Sequence, residues 1–102
     1  MIMFPIARFR VEDRSMEPTL SPGDFVLVNR LSYKLHPPAR GDLVVVRDPQ
    51  VPSRFLVKRI ADLSVSGAYV VGDNEIQSRD SRTFGLVPRD FIVGRVLRTA
   101  KP

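Results

Sequence analysis

Ser15 stands at the head of Ser15-Met16-Glu17-Pro18-Thr19-Leu20, followed at once by Ser21-Pro22-Gly23-Asp24 and an apolar run. Pro18 and Pro22 stiffen the chain beyond the serine, so its hydroxyl is presented from a fixed backbone. That suits a nucleophile, and it equally suits an ordinary turn serine. A serine hydroxyl is weakly nucleophilic at its own pKa and needs a base beside it. The chain holds one histidine, His36, within Leu35-His36-Pro37-Pro38, with no acidic residue alongside to orient it. A Ser-His-Asp triad is therefore disfavoured. The base left to consider is a lysine.

Three later segments give the serine box a context. Arg40-Gly41-Asp42-Leu43-Val44-Val45-Val46 is an RGD triplet running into apolar residues. Phe55-Leu56-Val57-Lys58-Arg59-Ile60 alternates two faces around a lysine. Gly72-Asp73-Asn74 precedes Ser78-Arg79-Asp80-Ser81-Arg82 and Gly85-Leu86-Val87-Pro88. Together and in this order the four boxes resemble those of type I signal peptidases, over most of the chain from Val11 to Val96. The short members that act on nickel-type superoxide dismutase precursors are the nearest in form. The family's large second β domain falls between the lysine box and the GDN box, where only residues 60–71 lie here. The resemblance thus implies a minimal catalytic core.

The resemblance implies a Ser15–Lys58 dyad. Lys58 shares a strand face with Leu56 and Ile60, so two states are open. Its stem lies over the apolar surface with the ammonium in water, or the amine is buried beside Ser15. Burial disfavours the charged form, and a lysine with an ordinary pKa of about 10.4 then becomes a usable base. Arg59 cannot substitute, because a guanidinium does not deprotonate in proteins. By the same resemblance the Ser78 hydroxyl orients the lysine amine, and Asp80 with Arg82 forms a structural ion pair beside the dyad. Alone, Ser78 reads as a loop serine capping backbone groups. Met16 is expected to pack beneath the serine, while Pro18, Gly23, Gly41 and Gly72 set backbone geometry. One position departs from the family pattern. Two residues before the nucleophile, family members often carry a serine, whose hydroxyl helps to bind the oxyanion, or a glycine; this chain has Asp13. A carboxylate aimed at a developing oxyanion opposes catalysis. Either Asp13 points away or activity is weak.

The elements that must position these residues are strands. Residues 6–12 alternate apolar and charged side chains, the period of a half-buried strand. Residues 25–28 and 43–47 are continuous β-formers and are expected to be covered on both faces. Residues 54–61 form a third such stretch, and residues 62–71 a hairpin turning near Ser66-Gly67. Residues 73–85 are polar and read as a loop, and residues 91–97 as a last strand broken by Gly94. Frequent turns between short strands predict a compact all-β, partly barrel-like fold, mainly antiparallel, in one domain over residues 1–102. The RGD triplet reads as a tight turn needing Gly41 rather than as an adhesion motif.

The absence of cysteine and the lone histidine argue against a protein-built zinc site, and no cofactor is implied. The net charge of +5 comes from scattered arginines with few aromatics, which argues against nucleic-acid binding. The apolar start, residues 1–7, is interrupted by Pro5 and ended by Arg8 and Arg10, far short of the about 20 apolar residues of a membrane span. A cytoplasmic enzyme is the resulting expectation, with at most weak peripheral contact with membranes. The resemblance implies a serine endopeptidase that takes a precursor as an extended strand and removes its N-terminal extension, nickel superoxide dismutase being one such precursor. Three rivals stand beside it: a membrane signal peptidase core without its anchor, an inactive peptide-binding module of the same fold, and a self-cleaving regulator domain. Burial of Lys58 discriminates against the inactive module.

Overall fold

The computed structural model describes residues 5–102, and the stretches rich in β-formers become six strands. These are β1 (Ile6–Arg10), β2 (Phe25–Asn29), β3 (Leu43–Arg47), β4 (Phe55–Ser64), β5 (Gly67–Val71) and β6 (Ile92–Ala100). They form one sheet in the order β1-β2-β6-β3-β4-β5, every neighbouring pair antiparallel. The all-β expectation holds. Two single-turn helices, α1 (Ser32–Leu35) and α2 (Ser81–Phe84), and two short 3₁₀ turns at Glu75–Gln77 and Arg89–Phe91 are the other elements among the described residues.

Apolar side chains pack on both faces of the sheet. Val44 and Val46 join Leu56, Ile60, Ala68, Val70 and Val87 in one cluster. Val45, pointing the other way from the same strand, joins Val11, Met16, Leu20, Val26 and Val28 in a second. β3 is therefore covered on both sides, as its run of valines predicts. β2 is not: only Val26 and Val28 are fully buried, and the residues between them are half-buried.

Three other expectations are corrected. β1 ends at Arg10 rather than residue 12. Residues 73–85 are not a plain loop, since they contain a 3₁₀ turn and α2. Gly94 does not break β6; it pairs with Val45 inside the ladder. A side chain there would place its Cβ 2.3 Å from the Asn29 carbonyl oxygen, so the glycine permits a close approach of strands. Gly41, at φ +89°, supplies the left-handed turn that the RGD triplet needs, and Asp42 closes it by accepting from Ala39 N–H and the Tyr33 hydroxyl.

The two ends of the strand order leave free edges near each other. Among the described residues β1 pairs only with β2. Residues 55–58 of β4 pair only with β3, because β5 meets β4 from Arg59 onward. These edges face each other across a cleft of about 420 Å³ lined by residues 8–13 and 54–57 together with Met16. Phe9 and Phe55 bridge it, ring centroids 5.0 Å apart.

Candidate active site

Alternation along β4 sends Leu56, Lys58 and Ile60 inward, and Lys58 is 1% exposed. Its stem does not carry the ammonium out to water. The Nζ donates instead to Ser78 Oγ at 3.2 Å, and that hydroxyl donates to Asp80 Oδ2 at 2.6 Å. Burial pushes the Lys58 amine below the ordinary lysine range; Asp13 and Asp80 pull it back up, while Arg79 and Arg82 add to the lowering.

Asp80 anchors this side of the site and is itself fully buried. Burial alone would raise its pKa, but donors from the Arg82 side chain, Ser78 Oγ, Gly72 N–H and Arg82 N–H hold it well below the usual carboxylate range. The Arg82 Nη2–Asp80 contact is 2.7 Å, so the two residues form the ion pair the motif implies. The Asp80 carboxylate also caps α2.

The serine box packs against the GDN box from the other side. Met16 and Leu20 are buried in the core, which fixes the backbone on which Ser15 rides. Asn74 N–H donates to the Ser15 carbonyl at 2.8 Å, and the Asn74 side chain donates to the Arg14 carbonyl. Asp73 N–H points at Met16 Sδ, and Thr19 Oγ1 donates to Asp73 Oδ2 at 2.6 Å. Gly72 lies between the two halves: a Cβ there would be 2.2 Å from Ser78 Oγ and 2.5 Å from the Ser15 carbonyl oxygen. Ser15 and Ser78 thus both approach Gly72 closely, and Ser78 holds Lys58.

Ser15 is 2% exposed. Among the described residues its hydroxyl makes no hydrogen bond, and no side-chain polar atom is both buried and unpaired. The small exposed part of Ser15 is therefore its Oγ. Its N–H donates to Asp13 Oδ1 at 3.0 Å. Asp13 does not point away from the serine; it turns back onto it. Hydrogen bonds join Lys58, Ser78, Asp80 and Arg82 directly, Ser15 and Met16 meet this group through the GDN box, and no hydrogen bond joins Ser15 Oγ to Lys58 Nζ. Pro18 is exposed on the outer side of the turn, and His36 is exposed where α1 ends.

Several supporting residues escape a reading of the sequence. Arg59, on the opposite face of β4 from Lys58, grips Asp73 with two bonds of 2.9 Å and also donates to the Gly41 carbonyl. It therefore ties the lysine, RGD and GDN boxes together. Asp48, fully buried, takes two bonds from Arg79, whose guanidinium lies 5.1 Å over the Phe84 ring. The charges are visible in the sequence, but nothing in their spacing says which pair meets.

Comparison with known proteins agrees with this architecture. The sequence profile of the family described as "Signal peptidase, peptidase S26" matches residues 1–67 and 65–99. Mitochondrial ATP-independent inner membrane protease subunit 1b of Arabidopsis thaliana is 37% identical over 108 residues, covering 81% of this chain and 63% of its own length. Human mitochondrial inner membrane protease subunit 1 is 32% identical over 102 residues, covering 80% and 61%. Signal peptidase I of Aquifex aeolicus is 48% identical over 52 residues, covering 51% of this chain and 20% of its own. The chain thus spans less than two thirds of these relatives. Their names correct two expectations. They are inner membrane protease subunits and signal peptidases, not nickel superoxide dismutase maturation proteases. A cytoplasmic location, inferred from the short apolar start, is likewise overturned by relatives named for a membrane. Residues 1–4 of that start lie outside the described residues; among the described residues no helix is long and apolar enough to cross a membrane.

Proposed function

Because the chain belongs to the S26 signal peptidase family, we propose that it is a serine endopeptidase whose nucleophile is Ser15 and whose base is Lys58. The observation that carries this assignment is Lys58: a fully buried amine, held by Ser78 and pushed toward its neutral form, on the strand that borders the cleft. Burying a lysine amine costs stability, a cost that is accounted for where the site uses the neutral amine. An inactive peptide-binding module has no need of it.

The chemistry follows from that arrangement. Ser15 Oγ attacks the carbonyl carbon of the scissile peptide while its proton passes to the Lys58 amine. The resulting ammonium returns the proton to the leaving amine, so the C–N bond breaks and an ester to Ser15 remains. Water, deprotonated by the same amine, then hydrolyses the ester and frees the acid product. Ser78 keeps the Nζ aimed through both steps, with Asp80 fixing the Ser78 hydroxyl.

The substrate enters as a strand. The peptide groups of Arg54 and Ile60 bond toward β3, so by alternation those of Phe55 and Val57 face the cleft. Val11 bonds toward the β2 side, so the peptide groups of Arg8 and Arg10 face the cleft from the opposite edge. An extended precursor segment laid between them gains main-chain hydrogen bonds on both flanks. The substrate class is a precursor carrying an N-terminal extension with small residues before the cut. A nickel superoxide dismutase precursor is one member of that class, to be set beside membrane-delivered precursors in a substrate panel.

The test is single-turnover cleavage of such a panel by wild type, Ser15→Ala, Lys58→Ala and the double variant. Each single variant is expected to abolish cleavage with the fold intact, and the double to be no worse than either, since members of one catalytic unit are not additive. Near-normal cleavage by a folded Lys58→Ala variant would refute the assignment.

A further inference from the structure

The Asp13 carboxylate is not needed by the mechanism above, and it occupies a group that the mechanism would use. The backbone N–H of an attacking serine is a ready donor for the oxyanion formed on the carbonyl it attacks. Here that N–H is already committed to Asp13 Oδ1 at 3.0 Å. Asp13 is exposed and lines the cleft, so the bond joins a buried Ser15 N–H to a carboxylate that reaches solvent. Ser15 carries its other backbone bond, from Asn74 to its carbonyl, on the GDN side, where it does not compete.

We propose that Asp13 is a positioning residue that latches the resting site, holding the Ser15 N–H until a substrate carbonyl takes its place. A carboxylate and a developing oxyanion are both negative and seek the same donor, so the two arrangements exclude each other. An exposed carboxylate can swing to water at small cost, which makes the latch reversible. Closure does two things at once. It denies the oxyanion its donor, and it keeps a negative charge near Lys58, where Asp13 is the foremost of the groups that favour the charged ammonium. Departure of the carboxylate frees the donor and eases the amine toward its neutral form.

Other charges surround both partners. Arg8, Arg10 and Glu12 line the cleft from the β1 side and Arg54 from the β4 side. Asp80, Arg79 and Arg82 act on Lys58 from the polar segment beyond it. None of these is bonded to the Ser15 N–H. This separates the latch from the general field of the cleft.

The latch rests on Ser15 and Lys58 being the reacting pair, and the experiment keeps the two ideas apart. Wild type, Asp13→Ala, Asp13→Asn and Ser15→Ala are compared by kcat and KM against pH on a fluorogenic peptide with alanine at the first and third positions before the cut. Hydrogen exchange of the Ser15 amide and NMR titration of the Lys58 amine are followed on the same proteins. Alanine removes both acceptor and charge; asparagine removes the charge and keeps an acceptor. Asp13→Ala is expected to raise kcat/KM by about tenfold or more, a fraction of what a whole oxyanion donor is worth. It should also speed exchange at Ser15 and move the rise of activity to lower pH. Asp13→Asn should move the pH profile as far but gain less rate. Unchanged Ser15 exchange in Asp13→Ala overturns the latch whatever the activity, and so does a fall in kcat/KM with an unmoved Lys58 titration. Undiminished cleavage by Ser15→Ala would instead overturn the dyad, leaving exchange and titration to judge the latch.

Discussion

Gly72→Ala is the smallest change that should separate the two halves of the site. The backbone of Gly72 is in no unusual conformation, so the reason for glycine there is space. The added Cβ would stand 2.2 Å from Ser78 Oγ, 2.6 Å from Ser78 Cβ and 2.5 Å from the Ser15 carbonyl oxygen, where ordinary contact begins at 3.4 Å. The Ser78 side chain can rotate away, but only by giving up Lys58 Nζ and Asp80 Oδ2. The Ser15 carbonyl can retreat only by stretching its 2.8 Å bond from Asn74 N–H, and Gly72 itself is tied to Asp80 by its own N–H at 2.9 Å. A shift of about 1 Å must therefore be absorbed by the reacting groups themselves. Overpacking of this kind costs about 1–3 kcal/mol of stability. In a domain of this size each kcal/mol lowers Tm by roughly 4–8 °C. A misplacement of about 1 Å costs about 10²-fold in rate, or about 2.7 kcal/mol of barrier. The loss should fall mainly on kcat, since the added Cβ meets Ser15 and Ser78 and Gly72 is not among the residues lining the cleft. Calorimetry and steady-state cleavage measure the two effects separately. A Gly72→Ala protein with wild-type Tm and kcat would refute the idea that this glycine sets the spacing of Ser15, Ser78 and Lys58.

Two further outcomes follow from the buried charges. Lys58→Met should raise stability by about 1–4 kcal/mol near neutral pH, because an apolar chain of similar length replaces an amine whose charged form is poorly solvated. The folded-state pKa of Lys58 is depressed, so wild-type stability should climb as pH rises from that value toward about 10.4, and chemical denaturation of the methionine variant should lack this climb. Asp80→Asn should lower stability by about 1–3 kcal/mol at neutral pH, less than for a fully buried pair because Arg82 reaches solvent. The Asp80 carboxyl is held below its unfolded value, so its contribution is complete above about pH 4 and disappears as pH falls further. The acid limb of a stability–pH curve should accordingly be shallower in Asp80→Asn.

Much of this architecture can be read from residue order because its causes are local. Alternation around Lys58 predicts which side chains of β4 face inward, and burial follows that alternation through Ile60. Runs of β-formers locate β2 and β3, and Gly41 marks its turn. The failures occur where the cause lies elsewhere in the chain. Gly94 looks like a break until the Asn29 carbonyl is placed against it. β2 reads like β3 in sequence, yet its neighbours β1 and β6 leave alternate residues half-covered. The direction of Asp13 depended on whether its own loop offered a donor, and the Ser15 N–H did. Arg59 with Asp73, and Asp48 with Arg79, meet across the chain, and no periodicity encodes such pairings.

The two unpaired edges flanking the cleft impose a requirement that precedes any preference for particular side chains. Each edge demands main-chain donors and acceptors pointing sideways in opposite directions. Only a segment whose own peptide groups are unsatisfied can meet that demand; a helix, or a strand already in a sheet, has spent them internally. The gap therefore discriminates by state of folding. On the proposed function, a leader that is still unstructured threads between β1 and β4, whereas a folded domain behind it offers no free peptide groups to these edges. If the chain cleaves as proposed, its cut is confined to a boundary drawn by the substrate's own folding.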